Sequence, residues 1–262
     1  MSFSAQEYAA KYLKDPVIHD LGQNLAVITF HDEDLEKLAM GVLKSMEGDS
    51  NFLAYDAVVN LPFGKGKGKR HRGEGFFFLK DKCPVNAYKF GGSSLVGKPM
   101  NDSMQAMIGY INAKYFKEDP FCAMLVNHYP NYKAYIGPHS DSDVKDDQDG
   151  GVFAFSIGQP RDLIFRESDD VRRQRESLKT PKAVEESTGK RKRTNVKEDF
   201  SGVKINPIKV KMEHGQSLIM YGKKFQKMVM HGINKGVVGP KNYRQKDGVE
   251  GRYSFTFRRH AK

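Results

Sequence analysis

Apolar side chains recur at helical spacing in three stretches of the chain and at strand spacing in many shorter ones. Ser4 to Lys14 places Tyr8, Ala9, Tyr12 and Leu13 close to one helical face. Asp32 to Met46 does the same with Leu35, Leu38, Ala39 and Leu43, and Asp32 or Asp34 can cap its start. A third helix is predicted from about Asn101 to Phe116, amphipathic through Met104, Met107, Ile108, Ile111 and Tyr115. Leu25 to Phe30 reads as a strand. From Cys122 onward the pattern changes to short β-segments: Cys122 to Tyr129, Tyr135 to Asp141, Val152 to Ile157, Asp162 to Arg166, Ile205 to Met212, Ser217 to Tyr221, Lys227 to Gly232 and Arg252 to Arg259. Eight such segments with glycine-rich turns suit a mainly β (α+β) chain whose core is a double-stranded β-helix, or jelly-roll, buttressed by the N-terminal helices.

Two stretches break the pattern. Gly64-Lys65-Gly66-Lys67-Gly68-Lys69 alternates glycine with lysine, cannot bury a core, and leaves its ammonium groups for phosphates. Behind it come Phe76, Phe77 and Phe78, then Tyr88 and Phe90 before Gly91-Gly92. The Phe triplet reads either as a buried strand or as a stacking surface for bases. Ser168 to Gly202 is polar, with Gly189-Lys190-Arg191-Lys192-Arg193 inside it, and is expected to be a flexible insertion, partly helical. The chain then divides into residues 1–120, helices plus the basic and aromatic segment that starts at Gly64, packed on the core, and residues 121–262, the core with a basic insertion at 168–202.

Charge sharpens this picture. The net charge is +11, from 43 Lys and Arg against 32 Asp and Glu. Gly64 to Arg72 holds five basic residues and no acid, and Ser168 to Lys204 holds eleven basic and seven acidic, so these two segments carry nine of the eleven excess charges. Concentrated positive charge attracts polyanions, of which nucleic acid is the usual one, although it also serves simply as a solvated surface. The two cysteines, Cys83 and Cys122, form no C-x-x-C pair and imply a reducing interior without a disulfide framework. No apolar run approaches the roughly 18 residues that cross a membrane, and the N-terminus lacks a signal pattern. A soluble, intracellular monomer, nuclear or cytoplasmic, is expected.

The chemistry lies in three residues. Alternate side chains of a strand point the same way, so His139 and Asp141 can aim at one point while His231 arrives from a distant strand. Two imidazoles and one carboxylate with the remaining positions open suit non-haem Fe(II), whereas structural zinc takes four closed ligands, usually with cysteine. Arg252, Ser254, Thr256 and Arg258 also alternate and share one face of a strand, with Tyr253, Phe255 and Phe257 on the other. Guanidiniums buried on that face would need anionic partners; an exposed basic strand is the other reading.

Asn127-His128-Tyr129, His139-Ser140-Asp141-Ser142-Asp143, Glu213-His214-Gly215, His231-Gly232-Ile233 and Arg252-Tyr253-Ser254-Phe255-Thr256-Phe257-Arg258 stand in the order found in the AlkB family of Fe(II)/2-oxoglutarate dioxygenases, which residues 120–260 resemble. Arg161 to Arg166 resembles a core strand pair of its nucleic-acid-repairing members. The resemblance implies that His139, Asp141 and His231 bind Fe(II). It implies that Arg252 and the Tyr129 hydroxyl bind the distal carboxylate of 2-oxoglutarate, with Arg258 and Asn127 at the metal-chelating end. Ser254 stands where the family often has asparagine. His214, His128 and His260 are then structural. Tyr88-Lys89-Phe90 and Lys98-Pro99 resemble the end of a lid that grips a nucleotide, and Lys69, Arg72, Tyr88, Phe90 and Asp143 become the substrate residues, Asp143 through an exocyclic amine. The implied reaction consumes O2 and 2-oxoglutarate and demethylates N1-methyladenine or N3-methylcytosine in DNA or RNA, releasing succinate, CO2 and formaldehyde. Action on another base position or on protein, or binding of nucleic acid by an inactive relative, are the alternatives.

Overall fold

Two strands at the centre of the molecule are buried at every position: Ala123–Tyr129 and Val152–Gly158. Strands covered on both faces read as near-continuous apolar runs, which is how these segments appear in the sequence. The structure is a computed structural model that describes residues 4–55, 58–60, 67–69, 72–90, 93–118, 120–141, 151–179, 199–235 and 248–259. In chain order its elements are α1 (Ala5–Tyr12), β1 (Val17–Gly22), β2 (Leu25–His31), α2 (Glu33–Met46), β3 (Val58–Asn60), β4 (Lys67–Lys69), β5 (Gly73–Phe78), β6 (Ala87–Phe90), β7 (Ser93–Val96), β8 (Lys98–Pro99) and α3 (Asp102–Tyr115). The core follows with β9 (Ala123–Tyr129), β10 (Ile136–His139), β11 (Val152–Gly158), β12 (Arg161–Glu167), α4 (Asp169–Lys179), β13 (Ile208–Met212), β14 (Gln216–Tyr221), α5 (Phe225–Met228), β15 (Val229–Ile233) and β16 (Arg252–Arg258).

The last eight strands are dealt between two facing sheets. β14-β11-β16-β9 lie together in the larger sheet and β10-β15-β12-β13 form the smaller, all antiparallel. That is the double-stranded β-helix expected from the segment count. The N-terminal residues extend the larger sheet at both edges to give β1-β2-β14-β11-β16-β9-β5-β8.

Alternation along each strand separates two cores. Phe153, Phe155, Phe255, Phe257 and Ile219 face α1, α2 and α3 together with Ala39, Val42, Met104, Met107, Ile108 and Ile111. Val152, Ala154, Leu218 and Met220, one residue along, face the smaller sheet and meet Leu163, Phe165, Val210, Met212 and Val229. All five residues expected on the apolar face of α3 are buried.

The structure decides between readings the sequence left open and departs from the expectation at one element. Phe76 and Phe77 are buried within β5, which pairs with β9, so the Phe triplet is a strand of the sheet. The segment expected to be a strand at Lys227 to Gly232 begins instead with the single turn α5, and β15 starts at Val229. The expected insertion begins as helix α4; residues 180–198, including Gly189 to Arg193, lie outside the described residues. Cys83 and Cys122, distant in sequence, bring their sulfurs within 3.1 Å.

Asp32 joins the helical layer together. Its carboxylate caps α2 by accepting from the Asp34 and Leu35 amides and also accepts from the hydroxyls of Tyr110 and Tyr115 and from Lys114 Nζ at 3.0 Å. Burial alone would raise its pKa, but the bonds from Tyr115, Lys114, Leu35 and Tyr110 hold it below the ordinary value. A carboxyl depressed in the folded state contributes stability that is complete above its unfolded pKa and is lost as the pH falls through the folded one. Asp32→Ala is therefore expected to cost about 2 to 4 kcal/mol at neutral pH, the sum of a lost cap and unpaired buried hydroxyls. Urea denaturation at pH 7 and near pH 3 checks this, and a deficit that does not shrink in acid would contradict it.

Candidate active site

The site is built on a register. β10 and β15 pair so that His139 stands directly opposite His231, after a bulge that places three steps of β10 against two of β15. Opposed residues of an antiparallel pair project from the same face, and the two imidazole centroids are 4.5 Å apart. The close approach depends on Gly232, where a Cβ would lie 2.8 Å from the Ile136 carbonyl oxygen. Asp141 was expected inside the strand, but β10 ends at His139. Asp141 is instead held by its amide, which donates to Gln226 Oε1 at 2.9 Å, while Ser140 Oγ donates to the Val229 carbonyl.

The three side chains converge. Asp141 Oδ1 is 3.7 Å from His139 Nε2, and its Oδ2 is 3.7 Å from His231 Nε2. Ligand atoms of all three lie within 4.8 Å of one another, and no other such metal-ligating group occurs among the described residues. His139 Nδ1 lies 2.9 Å from the Gly137 carbonyl, which takes the ring proton on that side and leaves Nε2 as the ligand atom. Burial depresses both histidines, His231 to about 3 with His139 adding to the shift, so their lone pairs are free of protons at neutral pH. Burial opposes ionisation of Asp141, but the Arg258 guanidinium holds its carboxyl below the usual range. Its buried Oδ2 has no hydrogen-bond partner. A neutral pair of imidazoles, an ionised carboxylate and an orphaned buried oxygen are what a divalent cation would satisfy.

The inner face of β16 supplies the rest of the cleft. Arg258 Nη2 donates to Asp141 Oδ1 at 2.7 Å. At the other end of the strand Arg252 is 1% exposed, donates through Nη2 to Ser156 Oγ at 2.8 Å, and lies over the Tyr129 ring at 5.4 Å. Its Nε and Nη1 have no partner, and no carboxylate pairs with it among the described residues. Burial lowers its pKa to about 10, still well above neutral pH. A buried guanidinium with two unused donors calls for an anion of bidentate shape, and a carboxylate fits. Gly251, at φ +68°, brings the chain against the Tyr129 carbonyl, so that Arg252 falls opposite Tyr129 in the register. Between the two arginines the inner face carries a polar row across four strands, Glu74, Asn127, Ser254 and Ser156. The five residues assigned to 2-oxoglutarate by resemblance, Asn127, Tyr129, Arg252, Ser254 and Arg258, all line this one cleft beside His139 and His231.

Residues 81–258 match the family model described as the 2OG-Fe(II) oxygenase superfamily. The chain belongs to that superfamily. A solved structure titled "The structure of OsALKBH1" is similar at 16% identity, over 94% of this chain and 100% of that chain, with a TM-score of 0.47. A comparison with curated proteins found no match. By that family match, this oxygenase is an Fe(II)- and 2-oxoglutarate-dependent dioxygenase.

The substrate assignments fare differently. Tyr88 is buried in the cleft wall, stacked on Phe76 at 5.9 Å with the Arg258 guanidinium over its ring at 4.7 Å. Arg72, expected among the substrate residues as the end of the basic run, is 6% exposed and lines the cleft with its guanidinium paired with Glu74. Lys69 and Phe90 belong to β4 and β6 by backbone, but their side chains, like Asp143, lie outside the described residues. His128 and His214 are structural as expected: His128 stacks on Tyr253 and bonds Tyr55 and Glu250, and His214 accepts from the Gly158 amide. His260 lies outside the described residues. Glu74 and Gln226 were missed, since a lone Glu before a Phe run and a Gln in a single turn carry no local signal.

Arg252→Met tests the anion site. Removing an uncompensated buried charge in favour of an apolar side chain of similar reach is expected to leave the ligand-free oxygenase as stable as wild type or more so, by up to about 4 kcal/mol. Affinity for 2-oxoglutarate should fall by roughly 100-fold or more, as expected for loss of a bidentate charge pair. Calorimetric titration with 2-oxoglutarate and a thermal melt read both; unchanged affinity would contradict the assignment.

Proposed function

We propose that this oxygenase demethylates alkylated bases in nucleic acid, of the N1-methyladenine and N3-methylcytosine type, as the AlkB-like motifs imply. The observation that carries this reading is the wall of the cleft. Arg72, Glu74 and Tyr88, all from the segment between β4 and β7 that resembles a nucleotide-gripping lid, line the space beside His139 and His231. The +11 charge, concentrated in residues 64–72, which lead into that wall, and in 168–204, supports a polyanionic substrate.

Each residue then has a task. His139, Asp141 and His231 would hold Fe(II), with Arg258 keeping Asp141 ionised and aimed. Arg252 and Tyr129 would take the distal carboxylate of 2-oxoglutarate, and Asn127 and Ser254 the polar span toward the metal. When bound, the metal with O2 and 2-oxoglutarate supplies the oxidising power that hydroxylates a C–H bond, with succinate and CO2 as co-products. On an N-methyl group the product is a hydroxymethylamine, which releases formaldehyde and leaves the base restored. Ala154, Leu163, Met220 and Ile233 of the core between the sheets give the cleft an apolar lining, and a base taken from duplex must be flipped out at a cost of a few kcal/mol, less for a lesion that cannot pair.

Oligonucleotides carrying N1-methyladenine or N3-methylcytosine, incubated with Fe(II), 2-oxoglutarate and O2, should yield formaldehyde and succinate in equal amounts. Succinate without formaldehyde on every such substrate would overturn the base assignment. In the same assay, replacing Lys65, Lys67 and Lys69 together by Gln should flatten the logarithmic salt dependence of single-strand binding by roughly 2, since each phosphate contact contributes about 0.7. An unchanged slope would remove the basic run from the substrate surface.

A further inference from the structure

Besides the pair of Arg258 with Asp141, the cleft wall holds a second buried ion pair, Arg72 with Glu74, that the sheet containing it does not need. Arg72 immediately precedes β5, and its guanidinium donates in three directions: from Nη2 to Glu74, from Nε to Asn127 Oδ1 at 3.2 Å, and from Nη1 to the Tyr135 carbonyl at 3.3 Å. Glu74 is 2% exposed and stands opposite Asn127 in the β5–β9 register. Two residues along the same pair of strands, Phe76 opposite Leu125 fills the equivalent place with apolar packing. Burying two charges is offset by their attraction only when geometry is good, and replacing such a pair by well-packed apolar side chains is often neutral or stabilising. What the charged pair does to Asn127 explains it.

A guanidinium is a donor only. Whatever stands against Nε must offer an acceptor, so the Asn127 amide has to turn its oxygen toward Arg72 and its NH2 away from it. Asn127 also lies opposite Ser254, within the polar row that runs toward Ser156 and Arg252. Its NH2 is thus the end left for an acceptor on the cleft side. Glu74 holds Arg72 in place, and the Tyr135 carbonyl, one residue before β10, ties the same guanidinium to the strand that carries His139.

We propose that Arg72 and Glu74 are positioning residues that lock the Asn127 amide in the orientation that donates to 2-oxoglutarate. The proposal rests on the reading of Asn127 as a 2-oxoglutarate contact. It replaces the phosphate-binding role that the basic run suggests for Arg72.

The test is anaerobic titration of the full chain, first with Fe(II) and then with 2-oxoglutarate followed by visible charge-transfer absorption, alongside thermal melts. Variants are Arg72→Gln, Arg72→Lys, Asn127→Ala and the double Arg72→Gln/Asn127→Ala. Arg72→Lys retains the charge beside Glu74 but lacks the fork that reaches three acceptors at once, so it keeps the fold while releasing Asn127. The expected result is unchanged Fe(II) affinity in all four, a roughly tenfold loss of 2-oxoglutarate affinity in each single variant, and no further loss in the double, because Arg72 acts through Asn127. Wild-type affinity in Arg72→Lys, or losses that add in the double variant, would overturn the proposal while leaving the dioxygenase reading intact. A wild-type protein that binds Fe(II) but not 2-oxoglutarate would overturn the reading beneath it as well.

Discussion

The inner face of β16 buries two guanidinium groups, and among the described residues only one of them meets a carboxylate. Arg258 is neutralised by Asp141, which in turn is drawn between two uncharged imidazoles; Arg252, six residues away along the strand, has a serine hydroxyl, an aromatic face and two idle donors. Much of the surrounding architecture serves to keep this uneven pair in place. Strands β11 and β9 flank β16 on both sides, the Phe255 and Phe257 face is sealed by three helices, and Gly251 turns the chain so that Arg252 starts the strand against Tyr129. The fold spends stability on a charge it does not neutralise, which is the usual mark of a site completed by its ligand.

Much of this was legible in the sequence, because the jelly-roll core follows from local rules. Strict alternation in Arg252 to Arg258 told which side chains share a face, and the spacing of His139 and Asp141 told that they share an aim. The five residues on the buried face of α3 could be read directly from helical periodicity. Family resemblance then supplied the roles that spacing alone left open, among them the choice of His231 over His214. His214 serves a β-turn and an acidic partner on α2, and nothing within its own neighbours in sequence distinguishes it from a ligand.

What could not be read was set by partners distant in the chain. Arg72 looked like the last member of a solvated basic run, and becomes a buried wall residue only because Glu74, Asn127 and Tyr135 come together around it. Asp141 was expected to owe its position to a strand; it owes it to Gln226, 85 residues on, in a single helical turn that interrupts what reads as a continuous β-segment. The Phe triplet, ambiguous between stacking platform and strand, was decided by the edge of β9 that β5 covers. Cys83 and Cys122 meet for the same reason, as the residues that follow β5 and precede β9. In each case the deciding contact is a tertiary one between polar or edge groups, for which periodicity has no sign.

The central claim is that His139, Asp141 and His231 form one Fe(II) site with the 2-oxoglutarate cleft beside it. Anaerobic addition of Fe(II) and then 2-oxoglutarate to the purified protein tests it most directly through the visible charge-transfer band of the ternary complex. Wild type should develop the band at one equivalent of each, and His231→Ala, with the fold verified by circular dichroism, should not. A band that survives His231→Ala at full intensity, or wild-type protein that gives none, would contradict the account.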